Sequence, residues 1–72
     1  MGLERDHLAQ ALRHIELAEQ RILDQRALIE RMSKRGLDTK MAETLLVTML
    51  SGLERMREHR QIIEAAIAEG RE

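Results

Sequence analysis

The sequence predicts an all-α protein: an antiparallel two-helix hairpin that dimerises into a four-helix bundle. Three observations carry this. None of the 72 residues is proline, and apolar residues recur at heptad spacing in both halves of the chain, the pattern of helices that pack lengthwise as in a coiled coil. One short stretch, Arg35-Gly36-Leu37-Asp38-Thr39, breaks that pattern and divides the chain into two nearly equal arms. It holds helix stop and start signals back to back, which turns the second arm against the first.

The first helix is expected over about residues 3–34. Leu8, Ile15, Ile22 and Ile29 form one row, and Ala11, Ala18 and Met32 form the row three residues later, with Gln25 interrupting it. Leu12 and Leu23 widen the stripe. Glu30 and Lys34 make a favourably oriented i,i+4 pair on the outer face.

The turn is expected at residues 35–38. Gly36 suits the left-handed C′ position that closes a helix, with Leu37 as C″ and Met32 as C3, the two apolar positions of a Schellman ending. Lys34 and Arg35 place positive charge at the last carbonyls, where the helix dipole favours it. Asp38 is the expected N-cap of the second helix and Thr39 its competitor. With Asp38 as cap, Leu37 and Ala42 would form a hydrophobic staple.

The second helix is expected over about residues 39–68. Ala42, Met49, Met56 and Ile63 form one row; Leu45, Gly52, His59 and Ala66 are read as the next; Leu46, Leu50, Leu53 and Ile67 broaden the face. Arg60 falls among these apolar positions, where it snorkels or meets an acid. Gly70 marks the end. Folding the chain at the turn pairs Ile22 with Gly52, Ala18 with Met56 and Ala11 with Ile63, and brings Ile15 near His59, large against small. Glycine within a helix costs roughly 1 kcal/mol. Either a close approach of the helices against Ile22 compensates for this cost at Gly52, or Gly52 is a tolerated defect.

Residues 1–72 make one small domain. Two helices of about 30 residues would be roughly 45 Å long, with one seam and no enclosed core. The expected remedy is self-association, since two-fold dimers are the commonest closed assembly. The interface residues expected on this reading are Leu8, Leu12, Ile15, Ile22, Ile29, Leu46, Met49, Leu50, Leu53, Met56, Ile63 and Ile67. An unidentified protein partner is the other route, and parallel and antiparallel dimers both remain open.

Composition excludes several function classes. Twelve basic and thirteen acidic residues leave a net charge of −1, which opposes strong general affinity for nucleic acid or an anionic membrane. Cysteine is absent, so disulfides and thiolate metal sites are excluded. Aromatic residues, the usual stacking platforms for bases, are absent too. The opening Met-Gly-Leu-Glu-Arg-Asp-His has no apolar signal-peptide core, Asp6 stands where a myristoylation signal has Ser or Thr, and no apolar run reaches membrane-span length. A cytoplasmic protein is expected.

No residue cluster reaches a specific chemistry. His14 and His59 fall nearly opposite one another and are the candidate metal ligands; Glu4-Arg5-Asp6-His7 carries the Glu-x-x-His spacing of di-iron bundles, but only once. Metal binding is not expected, and no cofactor is. His59 is also the candidate for pH sensitivity, against the plainer reading of a polar residue that sets register. Arg31, Lys34, Arg35 and Lys40 cluster at the turn and are the candidate nucleic-acid contacts, against the plainer reading of a solvated helix end. Ser33 and Ser51 lack an evident base, and slender helices offer little pocket, so enzyme activity is not expected.

Arg13-His14-Ile15, Gln25-Arg26-Ala27-Leu28-Ile29, Gly36-Leu37-Asp38-Thr39, Ala42-Glu43-Thr44-Leu45-Leu46 and His59-Arg60 resemble a group of short, uncharacterised, mostly alphaproteobacterial helical-hairpin proteins. The resemblance covers most of the chain and implies no activity. By architecture the chain is also similar to the RNA-binding hairpin protein Rop, although the aromatic residues of a Rop-like RNA face are missing here. The expected function is a non-catalytic oligomerisation or protein-interaction module with a scaffold or regulatory role. The alternatives are a Rop-like RNA- or DNA-binding hairpin dimer that uses the turn cluster, and a metal-binding bundle.

Overall fold

The computed structural model describes residues 2–70. Over these the chain forms α1, Leu3–Lys34, and α2, Lys40–Ala68, with no strand. The two helices lie against each other as the expected antiparallel hairpin. The molecule is a rod with Cα extents of 54 × 15 × 12 Å and a radius of gyration of 16.5 Å, against about 11 Å for a compact domain of this length.

α1 ends as its residues dictate. The Leu37 amide donates to the Met32 carbonyl at 2.9 Å and the Gly36 amide to the Ser33 carbonyl at 3.0 Å, the paired bonds of a Schellman ending. Gly36 holds φ +72°, the left-handed conformation that glycine adopts without penalty. α2 begins one residue later than expected. Its N-cap is Thr39, whose side chain makes no capping bond. Asp38 supplies the cap chemistry instead: its Oδ1 accepts from the Lys40 amide at 2.9 Å. With Thr39 as cap, Ala42 is no longer the fourth helical residue and Leu37 stays mostly exposed, so the expected staple is absent.

The seam uses both expected rows of α1. Ala11, Ile15 and Ile22 are buried, and Leu8, Ala18, Ile29 and Met32 are half-buried. Gln25, which breaks the second row, is accommodated because its Nε2 donates to the Ala42 carbonyl across the seam at 2.8 Å. On α2 one row is as expected and the other is not. Ala42, Met49, Met56 and Ile63 run along the seam, but the second row is Leu46, Leu53, Arg60 and Ile67, with Leu53 in the central cluster beside Ile15 and Ile22. Leu45 and His59 are exposed. Rotating a helix by one residue changes facing by about 100°. Because α2 is apolar over both candidate rows, period alone did not choose between them.

Gly52 is consequently not a close-approach residue in the hairpin: a Cβ built there meets no atom within 4 Å. Ile22 packs near Leu53 instead. Arg60 occupies a seam position and reaches outward to Glu64, Nε to Oε1 3.7 Å, while its Nε is buried without a hydrogen bond.

Candidate interaction surface

The seam divides the rod into two long faces, because heptad positions flanking an apolar row point to opposite sides of it. One face is flanked by Leu12, Glu19, Arg26 and Ser33 on α1 and by Glu43, Leu50, Arg57 and Glu64 on α2. Glu19, Leu23, Arg26, Leu50 and Arg57 surround one shallow groove there. Arg57 donates from Nη2 to Glu19 Oε2 at 3.1 Å across the seam. Glu16, Glu30 and Glu54 lie at the outer edge of this face, which is mainly acidic.

The other face is flanked by His7, His14, Arg21 and Leu28 on α1 and by Leu45, Gly52, His59 and Ala66 on α2. Midway along it, Ala18, Arg21, Met49, Gly52 and Met56 enclose a notch of about 150 Å³. Apolar side chains stand in water on both sides of the notch: Leu28, Leu45 and Met41 toward the turn and Ile62 toward the chain ends, with Met41 86% and Ile62 66% exposed; Leu17, also exposed, lines an outer groove of α1 with Arg13, Glu16 and Gln20.

The residues expected to mediate self-association divide between two roles. Ile15, Ile22, Leu53 and Ile63 are buried by the hairpin itself, and Leu8, Ile29, Leu46, Met49 and Ile67 are half-buried; Leu12, Leu50 and Met56 are the exposed ones. The second face, with Leu28, Met41, Leu45 and Ile62, is not among the interface residues expected from sequence. The available signal was Leu45 and Gly52 recurring one position away from the true seam.

His14 and His59 share this face and are both exposed. His59 is therefore not on the packing stripe where its row would have put it. His7 is also exposed, and its Nδ1 lies 3.7 Å from Glu4 Oε1. Among the described residues no three His, Cys, Asp or Glu side chains converge. Arg31, Lys34, Arg35 and Lys40 are all exposed at the turn, with Lys34 Nζ 3.2 Å from Glu30 Oε1. No helix among the described residues is long and apolar enough to cross a membrane. No protein-family model, curated protein or solved structure matches the chain.

Proposed function

We propose that the chain is a non-catalytic oligomerisation and protein-interaction module, a small cytoplasmic scaffold or regulator whose first partner is a second copy of itself. The observation that supports this reading is uncovered surface. The hairpin exposes 5646 Å², against about 4,600 Å² for a compact monomer of this size. The excess of about 1,000 Å² is close to the roughly 800 Å² that each partner contributes to a standard interface. Aliphatic residues lie exposed on both faces outside the seam, the kind of surface that marks association. Sedimentation equilibrium of the full chain at micromolar concentration tests the reading. A dimer mass is expected, and a monomer at all accessible concentrations overturns it.

A second reading, an RNA- or DNA-binding hairpin dimer, is favoured only by the exposure of Arg31, Arg35 and Lys40 at the turn. A gel shift with mixed nucleic acid at low salt decides it. A complex that weakens when Arg31 and Arg35 are changed to Ala supports that role, and no complex removes it.

A further inference from the structure

We propose that the second copy covers the notched face, not the acidic one, and that the two hairpins lie antiparallel with their turns at opposite ends. This rests on the self-association proposed above.

The two faces differ in what burial would cost. On the acidic face, Leu12, Leu23, Val47 and Leu50 are exposed, but they are interleaved with Glu16, Glu19, Glu30 and Glu54 and crossed by the Arg57–Glu19 pair. Covering them would strip water from a row of carboxylates, and such desolvation commonly exceeds the electrostatic gain. On the notched face, Leu28, Met41, Leu45, Met56 and Ile62 are exposed, and the formal charge that lines the notch is Arg21, a mixture of methionine and arginine that interface centres favour. The face also has the right size. A rod 54 Å long and 15 Å wide offers roughly 800 Å², the share of one partner in a standard interface.

Gly52 fits this assignment. Glycine in a helix interior costs about 0.8–1.0 kcal/mol relative to alanine, and nothing in the hairpin requires its missing side chain. The notch it opens lies near the midpoint of both helices. A two-fold axis crossing the rod at that level sets each helix against its own copy with reversed direction. It brings the second copy's Met56 to the Gly52 notch, and sets Leu45 against the second copy's Ile62.

Charge selects the antiparallel orientation. Side by side with turns together, the two copies would stack Arg31, Lys34, Arg35 and Lys40 against their own images. Reversal separates these clusters by the length of the rod, well beyond the roughly 8–10 Å screening length at ordinary ionic strength. It also brings Asp24 of each copy level with the second copy's His14, a compatible pair.

The test compares Gly52→Gln with Leu50→Gln by sedimentation equilibrium, with far-UV circular dichroism to follow the helices. In the lone hairpin the Cβ of a residue replacing Gly52 meets no atom within 4 Å and glutamine is a better helix former than glycine, so helicity should hold or rise. Self-association should nonetheless weaken at least tenfold, while Leu50→Gln leaves it unchanged. A dimer that survives Gly52→Gln but dissociates with Leu50→Gln overturns the choice of face and leaves self-association standing. A wild-type monomer overturns both. Orientation is read by mixing Leu45→Cys with Ile62→Cys variants under oxidation, since the chain has no cysteine of its own. A disulfide between the two chains is expected. Cross-linking between Leu28→Cys and Leu45→Cys chains instead would mean a parallel pair and overturn the proposed orientation.

Discussion

Leu45 and Leu53 are both leucines on α2, and only one of them builds the hairpin. Leu53 is 6% exposed and lies in the cluster with Ile15 and Ile22; Leu45 is 52% exposed. Truncating a buried leucine to alanine costs about 2–5 kcal/mol, from lost transfer energy plus the cavity left behind. A rod two helices thick can partly collapse around the gap, which places Leu53→Ala at about 2–3 kcal/mol. A domain of this length holds roughly 4–11 kcal/mol in total, so the substitution removes a large fraction of it. Leu45→Ala in the lone hairpin should cost under about 1 kcal/mol, because its side chain is half in water before the change. Urea titration followed by far-UV circular dichroism is the suitable assay, since there is no aromatic residue to report by fluorescence. Dilution separates the contributions: the loss at Leu53 should persist at the lowest concentration, and any loss at Leu45 should shrink with dissociation. Equal losses at both positions under dilute conditions would refute a seam that buries Leu53 and leaves Leu45 outside.

Three further outcomes follow from the same geometry. Gly36→Ala forces an alanine to φ +72° with no steric neighbour involved; about 1 kcal/mol should be lost, a fall of about 4–8 °C in thermal midpoint, partly recovered by Gly36→Asn. An unchanged midpoint would contradict it. Arg60→Leu replaces a seam residue whose Nε is buried without a hydrogen bond, and should raise the urea midpoint by the equivalent of about 1 kcal/mol; a lower midpoint would show that the Glu64 pair matters more than the seam. Asp38→Ala removes the acceptor for the Lys40 amide and should cost about 1 kcal/mol, whereas Thr39→Ala should cost less because its hydroxyl caps nothing. The reverse order would reassign the cap.

Much of the hairpin was legible along the chain because its determinants are local. The turn followed from Gly36 and Asp38, whose hydrogen bonds reach only a few residues away. α1 disclosed its inward face because its two apolar rows are bounded by charge, so that one orientation buries them. The outward faces were less legible. The interface expected from sequence mixed residues of the intramolecular seam, such as Ile15 and Leu53, with outward ones such as Leu12 and Leu50, since a heptad row has the same appearance whether it meets its own chain or another.

Two helices, the Schellman stop of the first and the sense in which the chain folds back follow from backbone chemistry and periodicity within a few residues; the start of α2 at Lys40 follows only to within one residue. Which side of α2 meets α1 is instead a matter of packing across the hairpin. That helix offers apolar residues over more than one row, and the choice is made by fit against Ile15 and Ile22 together with the Gln25 bond to Ala42. This rotation sends Gly52, Leu45 and His59 to the outside, because a rigid helix that buries Leu53 must turn its neighbouring row to water.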